Sequence, residues 1–457
     1  MNLRQKLQEN QQEATLAAVG ASQFRAAELR AHDDTEYAQL KTDIHRKLLD
    51  RVDLEAMSNL PAERLRQELK TMVERLLAED GAALNAPERK QIVQDIEHEM
   101  LGLGPLEPLL ADPTVSDILV NTCRQIYVER AGRLELTNVR FASNQHLLKI
   151  IDKIVSRVGR RIDESNPMVD ARLPDGSRVN AIIPPLALDG PLLSIRRFAV
   201  VPLKTDDLLR LRTMTPQMAQ LMGAMVRSRL NLLISGGTGS GKTTLLNVLS
   251  GHIPVSERIV TIEDAAELQL QQPHCVRLET RPPNIEGKGE ITQRALVRNS
   301  LRMRPDRIIL GEVRGAEVLD VLQAMNTGHE GSMTTVHANS PREAFTRLES
   351  MMSMAGQQLP PKAARAQISS AISVVIQVAR LGDGQRKVIS MQEVTGMEGD
   401  IVTMQEIYAF RQTSIAPDGT VQGHFCATGI RPKFLERLRT HGLNMPDELF
   451  DPNRIYE

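Results

Sequence analysis

Short apolar runs alternate with longer helical stretches in the second half of the chain. The runs have the length of buried strands and lie at residues 230–234, 259–262, 307–310, 332–336 and 372–378. Strands that alternate with helices predict an α/β domain with a largely parallel sheet, which binds its ligand at the carboxyl ends of the strands. We therefore predict such a domain over residues 204–457. Its end mixes short strands with a helical stretch at Pro432–Thr440.

The first part of the chain has a helical pattern. Residues 1–33 are polar with weak periodicity, which predicts a flexible or frayed helical leader. Residues 34–104 contain three amphipathic segments, with prolines near the starts of the second and third. We predict a three-helix bundle over that range.

The residues between these two parts predict a mixed α+β domain over 105–203. Hairpins turn at residues 131–132 and 174–176, and a helical segment lies between them. A strand follows at Leu192–Phe198. We expect a linker to the next domain at about residues 199–215.

Composition excludes several classes of protein. Hydrophobic residues make up 41% of the 457 residues, charged residues 25%, and the net charge is −1. That balance, with four Tyr and no Trp, argues against a nucleic-acid partner. The three scattered cysteines predict a reducing compartment and no cysteine metal site. No run approaches the roughly 20 apolar residues of a membrane span, so we expect a cytoplasmic protein that meets a membrane only through partners.

A glycine-rich loop joins the apolar run at 230–234 to a helical pattern. It reads Gly-Gly-Thr-Gly-Ser-Gly-Lys-Thr over residues 236–243. Glycines let the backbone turn its N–H groups toward a polyphosphate, and the following helix directs its positive end at the same anion. Lys242 is expected to reach the β- and γ-phosphates, and the Thr243 hydroxyl to ligate magnesium. The expected nucleotide contacts are Gly236, Gly237, Thr238, Gly239, Ser240, Gly241, Lys242, Thr243 and Thr244.

A phosphate loop needs a carboxylate to handle magnesium or to activate water. Residues 307–312 read Arg-Ile-Ile-Leu-Gly-Glu, an apolar strand that brings Glu312 to its end. Many such strands end in Asp followed by Glu, but here Gly311 holds the Asp position. Glu312 then serves as a general base, as an outer-shell magnesium contact, or as both.

Two further strand ends carry candidate site residues. Glu263 and Asp264 follow the run at 259–262, where they either position magnesium and water or start a helix that Asp264 caps. His337 follows the run at 332–336, where it either hydrogen-bonds a γ-phosphate or has a structural role.

Arginines form two clusters. The first surrounds a hairpin and a strand of the predicted α+β domain and consists of Arg172, Arg178, Arg196 and Arg197. Arginine from outside the phosphate-loop fold neutralises transition-state charge in many nucleotide-driven motors. The second cluster recurs along one helical face, for which a solvated face is the simpler interpretation, and consists of Arg294, Arg298 and Arg302.

Together these motifs resemble the secretion-ATPase superfamily of type II and type IV secretion and pilus assembly. The chain looks most like the CpaF-type ATPases of tight-adherence (Flp) pili. The resemblance covers about residues 100–450 and rests on segments 170–179, 194–198, 236–244, 261–268, 302–315, 324–332 and 335–340.

This resemblance implies a RecA-like ATPase domain preceded by a PAS-like α+β domain. It implies a Walker A motif at residues 236–243, an Asp box at Glu263–Glu267, an atypical Walker B motif with catalytic Glu312, and a His box ending at His337. Gly311 is expected in such a Walker B motif. The implied catalytic residues are Lys242, Glu263, Glu312, His337, Arg178 and Arg196, and the implied magnesium contacts, partly through water, are Thr243, Glu263 and Glu312.

The resemblance also implies ATP and Mg²⁺ as ligands and a homo-hexameric ring. Such rings move pilins through inner-membrane platform proteins, so we expect peripheral association with the inner membrane. The resulting prediction is a motor that assembles a tight-adherence pilus or a secretion machine, with retraction as an open second output. One alternative is a DNA-handling motor of a conjugative type IV secretion system, against which the neutral charge argues. Another is a nucleotide-dependent scaffold without hydrolysis, against which Glu312 argues.

Overall fold

A computed structural model describes most of the chain after the leader. The described residues are 37, 39–48, 51, 61–80, 84–130, 132–197, 202–283, 288–356 and 359–456, so the leader predicted at 1–33 lies outside them. The chain divides into two compact units, residues 1–130 with 134–197 and residues 131–133 with 198–457. The domain boundaries drawn from the sequence stay predictions.

Three described helices pack together in the first unit. They are α1 at residues 39–48, α2 at Ala62–Glu79 and α3 at Ala86–Leu101. Asn85 and Glu88 form a capping box at the start of α3, which has Pro87 in its first turn. The helices bury one shared core of Ile44, Leu48, Leu69, Val73, Leu76, Leu77, Ile92, Val93 and Ile96.

A six-stranded sheet follows the bundle. Its strands are β1 Val115–Thr122, β2 Gln125–Arg130, β3 Arg133–Leu136, β4 Met168–Arg172, β5 Arg178–Ile182 and β6 Leu192–Arg196, in the order β3-β2-β1-β6-β5-β4. The pairs β1–β2, β1–β6, β4–β5 and β5–β6 are antiparallel. The helices here are α4 Glu107–Ala111 and α5 Asn144–Arg157, and α5 shares a core with the sheet through Leu147, Ile151 and Ile154. Both predicted hairpins are confirmed, with positive φ at Gly132 and Gly176.

The second unit contains a ten-stranded sheet. Its strands are β7 Leu232–Gly236, β8 Ile259–Glu263, β9 Cys275–Glu279, β10 Arg307–Val313, β11 Met333–His337, β12 Val374–Arg380, β13 Arg386–Glu398, β14 Ile401–Ile415, β15 Val421–Ala427 and β16 Ile455–Tyr456. The order is β16-β15-β14-β13-β12-β7-β11-β10-β8-β9. Strands from β12 to β9 run parallel, and those from β12 to β16 pair antiparallel. The predicted α/β class is thus confirmed.

Helices cover both faces of the parallel part of this sheet. They are α6 Thr205–Arg210, α7 Pro216–Arg227, α8 Lys242–Ser250, α9 Gln293–Ser300, α10 Glu317–Asn326, α11 Pro341–Met354, α12 Pro361–Ala371 and α13 Leu435–Thr440. One core joins the sheet to α7 and α8, and another joins it to α10, α11 and α12. The methionine-rich face of α7 is fully buried, with Met218, Met222 and Met225 at 0% exposure.

The sequence pattern missed β9, β13 and α6 in this unit and misjudged the length of β14. Strand β9 extends the parallel sheet at its edge, and α6 lies inside the range expected to be a linker. The expectation of short strands near the end of the chain is confirmed for β15 and β16 but is wrong for β14, which is 15 residues long. Most of β14 is not buried, so its apolar residues do not form the compact run that marks a buried strand.

A buried ion pair fixes the amino ends of the central strands. Arg307, at 0% exposure, donates from Nε and Nη2 to the carboxylate of Glu257, which is 7% exposed. Its Nη1 donates to the carbonyl oxygens of Val226 at 2.7 Å and Gly331 at 3.3 Å. A Cβ atom at position 331 would lie 2.7 Å from that Nη1, so the guanidinium requires glycine there. Arg307 therefore stabilises the packing at the amino ends of the strands, which is the edge of the sheet opposite to the phosphate loop.

We expect Arg307→Ala to lower the free energy of unfolding by about 3 kcal/mol, because it removes two of the three guanidinium hydrogen bonds to the buried Glu257 carboxylate and leaves only the bond from Arg229 Nε at 3.3 Å. The measurement is urea denaturation followed by circular dichroism. Arg302→Ala, which removes an exposed arginine from the same segment, is the control and should change stability by no more than about 0.5 kcal/mol. Equal effects of the two substitutions would contradict a stabilising role for the buried pair.

Candidate active site

The glycine-rich loop connects β7 to α8 in the conformation that a phosphate loop needs. Gly239 and Gly241 have φ values of 67° and 98°, a region that side chains rarely adopt. A Cβ atom at Gly236 would lie 2.5 Å from the carbonyl oxygen of Val378 on the neighbouring strand. The backbone thus needs glycine at these three positions for conformation or for close packing.

Lys242 is the first residue of α8 and folds back over the loop. Its Nζ donates to the carbonyl oxygens of Gly236 and Gly237, each at 3.0 Å. Burial lowers the pKa of Lys242, and the nearby carboxylate of Glu312 opposes this shift. The ammonium group therefore lies close to the predicted catalytic acid. Thr243 and Thr244 follow in the first turn of α8, both partly exposed.

The register of the parallel strands brings the predicted site residues to one edge. His337 at the end of β11 pairs with Gly236 at the end of β7. Leu310 on β10 pairs with Ile262 on β8, one residue before Gly311 and Glu263. Because parallel strands share a direction, these ends lie at the carboxyl edge together with the phosphate loop. The structure thus brings together Lys242, Glu263, Glu312 and His337.

Glu312 is held by an arginine that the motif analysis did not assign to the site. Arg314 donates to Glu312 Oε2 from Nη2 at 2.6 Å and from Nε at 3.0 Å. Its Nη1 lies 3.4 Å from Asp264 Oδ2. Arg314 therefore links the carboxylate of β10 to the segment that follows β8. The string Gly-Glu-Val-Arg-Gly was visible in the sequence, but its spacing does not indicate which carboxylate the arginine contacts.

Glu263 is a buried carboxylate with one satisfied oxygen. It is 3% exposed, and its Oε1 accepts hydrogen bonds from the backbone N–H groups of Glu267 and Leu268, each at 2.9 Å. Its Oε2 is buried without a hydrogen-bond partner. Burial raises the pKa of Glu263 to about 7, although the two N–H groups favour the charged form. A cation or a donor at Oε2 would stabilise the carboxylate.

The absent side chain at position 311 makes room for Glu263. A Cβ atom on Gly311 would lie 2.9 Å from Glu263 Cγ and 3.5 Å from Oε1. An aspartate at position 311 would thus compete with Glu263 for the same space. Gly311 stands where many magnesium-handling strands have an aspartate. The Glu263 carboxylate, which enters from the adjacent strand β8, explains why this position has no side chain.

The segment after Glu263 is not helical. Residues 264–272 have no helix assigned, so the alternative in which Asp264 caps a helix is wrong. The backbone N–H of Gln269 instead donates to Asn247 Oδ1 on α8 at 3.0 Å. This bond ties the segment to the helix that begins at the phosphate loop.

Comparison with known families agrees with this arrangement. Residues 99–428 match the family described as type II/IV secretion system protein. The chain belongs to this family. Residues 37–101 also match the N-terminal domain of type II secretion system protein E. The matched range includes the three helices of the bundle.

Relatives of this chain carry names from conjugation and type IV secretion. A putative conjugal transfer protein of Mycobacterium tuberculosis is 40% identical over 328 residues, covering 70% of this chain and 92% of that protein. The conjugal transfer protein TrbB of Rhizobium radiobacter is 33% identical over 294 residues, covering 64% and 86%. The solved VirB11 ATPase of the Brucella suis type IV secretion system is 30% identical with a TM-score of 0.35, covering 64% and 93%.

The carboxyl edge of the parallel strands carries oxygen ligands suited to magnesium. The Thr243 hydroxyl and the carboxylates of Glu263 and Glu312 are the hard donors that this ion prefers, and the unpartnered Oε2 of Glu263 fits a cation. Among the described residues, no group of three or more His, Cys, Asp or Glu could hold a metal alone. Magnesium commonly completes its coordination shell with water and substrate phosphates. These residues therefore fit a magnesium ion that is bound together with a nucleotide.

Three of the four predicted arginines of the first unit form a row across its sheet, whereas Arg197 donates to the carbonyl oxygens of Asp112 and Val115. Arg172 pairs with Arg178, and Arg178 pairs with Arg196, so the three share one face of β4, β5 and β6. Arg196 also donates to Asp117 at 3.1 Å. Positive charges directly opposite each other are unfavourable in a sheet, and the Asp117 carboxylate offsets part of this cost at Arg196.

In the other cluster Arg298 and Arg302 are exposed, as expected for a solvated face, whereas Arg294 is half-buried. Arg294 and Arg298 both form ion pairs with Asp320.

No described helix of this chain is both long and apolar enough to cross a bilayer. The hydrophobic faces of the described helices pack into four cores. Three of these cores join helices to a sheet, and the fourth is the core of the helical bundle.

We expect Gly311→Ala to displace the Glu263 side chain and to lower stability by about 1–3 kcal/mol, because the new methyl group overlaps Glu263 Cγ. The measurement is thermal and urea unfolding of the single variants and of the double variant Gly311→Ala/Glu263→Ala. The two substitutions should be strongly non-additive, since Glu263→Ala removes the atoms that clash.

Gly382→Ala is the matched control for this prediction, because a Cβ atom there meets open space. Additive effects of Gly311→Ala and Glu263→Ala, or an unchanged stability of Gly311→Ala, would contradict the explanation of the glycine.

Proposed function

We propose that this chain is a magnesium-dependent ATP hydrolase that powers a secretion or pilus-assembly machine. The observation that carries the proposal is the shared strand edge at which the phosphate loop, Glu263, Glu312 and His337 meet. Within the family, we assign the chain to the CpaF-type motors of tight-adherence pili. The family match over residues 99–428 supports the secretion-motor part of this proposal, and the CpaF-type assignment rests on the resemblance of the sequence motifs alone.

The phosphate loop binds the triphosphate in this proposal. Its inward N–H groups and the start of α8 hold the β- and γ-phosphates, and Lys242 exchanges its bonds to two loop carbonyls for bonds to phosphate oxygens. Thr243, Glu263 and Glu312 would hold a magnesium ion directly or through water, and the ion would neutralise charge on the phosphates. Phosphoryl transfer then depends mainly on positioning and electrostatics.

Glu312 is the residue that we assign to the attacking water. Both bonds from Arg314 go to Oε2, so Oε1 is the oxygen that orients the water and accepts its proton. His337, whose backbone pairs with Gly236, hydrogen-bonds the γ-phosphate and responds to its loss. In this scheme the residues at the ends of β10 and β11 respond to whether the nucleotide carries a γ-phosphate.

Arginines complete the site in a homo-hexameric ring. The row of Arg172, Arg178 and Arg196 provides an anion-binding face, and we propose that Arg178 and Arg196 approach the triphosphate when subunits assemble. Arginine brought to the site by subunit motion couples hydrolysis to rotation of the subunits. The ring transmits this motion to platform proteins of the inner membrane, which places the motor at the cytoplasmic face of that membrane.

A DNA-handling motor of a conjugation apparatus is the second candidate. The names of the relatives at 40% and 33% identity favour it, since both are described as conjugal transfer proteins. The net charge of −1 and the 3% aromatic content favour the pilus motor, because they leave little for phosphate backbones or base stacking.

We expect Lys242→Ala and Glu312→Gln each to lower ATP hydrolysis by about 100-fold or more, because they remove the phosphate-binding charge and the group that orients water. Steady-state phosphate release by the purified ring is the measurement. Glu312→Gln should still bind a fluorescent ATP analogue, whereas Lys242→Ala should not. Wild-type turnover by either variant would refute the assignment, and an inactive wild-type ring in magnesium would favour a scaffold.

We expect hydrolysis by the purified ring to be unchanged by single- or double-stranded DNA, because the chain lacks a global positive charge. The measurement is ATPase activity and DNA binding over a range of salt concentrations, with Lys242→Ala as the inactive control. Stimulation by DNA, or binding that weakens steeply with salt, would favour the conjugation motor instead.

A further inference from the structure

Two arginines from the β12–β13 hairpin flank the phosphate loop within the same unit. Arg386 Nε donates to the carbonyl oxygen of Gly239 at 2.9 Å. Its Cδ would lie 3.5 Å from a Cβ atom at Gly241, so its aliphatic stem packs along the loop. Arg380 Nη1 would lie 3.7 Å from a Cβ atom at Gly239. Neither arginine belongs to a motif that marks nucleotide sites.

The sheet explains why this hairpin reaches the loop. Strand β12 pairs in parallel with β7, and Val378 lies opposite Gly236, where the loop begins. Two residues further on, β12 ends at Arg380, which pairs across the ladder with Arg386 at the start of β13. The hairpin therefore brings both guanidinium groups to the carboxyl edge, on the side of β7 opposite to β11 and β10.

The chemistry of this arrangement indicates an anion. Positive side chains directly opposite each other in an antiparallel pair repel, and here a third cation, Lys242, begins the helix that follows the loop. A polyphosphate in the loop would offset this repulsion, because it concentrates negative charge beside all three groups. Arg380 additionally donates to the carbonyl oxygen of Gly132, whereas Arg386 directs its Nε to the loop itself.

We propose that Arg386 is a positioning residue of the nucleotide site, supplied by the same subunit. It holds the outer side of the phosphate loop through the Gly239 carbonyl, and this keeps the N–H groups at Gly239–Gly241 turned toward the phosphates. With Arg380 it also raises the positive potential at the loop. This inference rests on the proposed function, since it requires that the loop binds a nucleotide.

The role predicts a specific kinetic signature. A contact that orders the loop acts equally on bound ATP and on the transition state, so its loss raises KM and leaves kcat nearly unchanged. The loss of one hydrogen bond to a charged donor corresponds to about a tenfold weaker binding. Binding of ADP should weaken by the same factor, because ADP also occupies the loop.

The test compares Arg386→Ala and Arg386→Lys with the control Arg411→Ala. Arg411 is an exposed arginine of strand β14 that pairs with Glu406 of the same strand. A fluorescent ADP analogue gives the Kd, and steady-state hydrolysis gives KM and kcat. We expect a roughly tenfold rise in Kd and KM for Arg386→Ala, an intermediate rise for Arg386→Lys, and no change for Arg411→Ala. The melting temperature without nucleotide should be the same for all variants.

The outcomes separate this inference from the proposed function. If Lys242→Ala abolishes ADP binding while both Arg386 variants bind as the wild type does, the role of Arg386 is refuted and the ATPase assignment stands. A fall in kcat at unchanged KM would also refute it, because the residue would then act on the transition state. If Lys242→Ala binds ADP normally, the proposed function itself fails. Should Arg386→Ala not fold, Arg386→Lys decides on the same criteria.

Discussion

The parallel register of β7, β11, β10 and β8 is the constraint on which the rest of the site depends. Each strand is mostly buried, and its internal polar residues are small hydroxyl side chains (Ser235, Thr261, Thr334 and Thr335), so charged groups lie only at or near the strand ends. Because the four strands run in one direction, those ends form a single edge that receives the loop, two carboxylates and a histidine from distant parts of the sequence. The buried Arg307–Glu257 pair at the opposite edge fixes the other ends of the strands, so both edges are held by charged groups with defined partners.

Within this frame, the missing aspartate at position 311 and the buried carboxylate at position 263 are two aspects of one packing solution. A strand can supply an acid to the edge from its own end or leave space for an acid from its neighbour, but the distance of 2.9 Å to Glu263 Cγ does not allow both. The second solution places the acid in a drier environment, which raises its pKa to about 7 and leaves one oxygen without a partner. An oxygen of this kind binds a cation strongly because solvation by water has already been lost.

Much of the fold and of this site could be predicted from the sequence, since apolar runs mark buried strands and a phosphate loop has a fixed spacing of glycines. The positions of Glu312 and His337 at the edge of the sheet were predictable because both residues lie within two residues of the end of such a run. Arg314 and Arg386 were not, because their roles depend on where a long side chain points across a strand pair, which spacing does not encode. The length of β14 escaped prediction for a related reason: it is paired on both sides but mostly not buried, and an unburied strand needs no continuous apolar run.

Cross-strand pairs of like charge occur in both units, and their positions follow one logic. Arg172, Arg178 and Arg196 lie opposite one another in the first unit, and Arg380 lies opposite Arg386 in the second. Each pair costs free energy in an isolated sheet, and a single substitution to a neutral residue would remove that cost. In the first unit the Asp117 carboxylate pairs with Arg196 and offsets part of this cost within the sheet. In the second unit Arg386 directs its Nε to the carbonyl oxygen of Gly239, so a guanidinium that is repelled across the ladder is held by an acceptor of the phosphate loop.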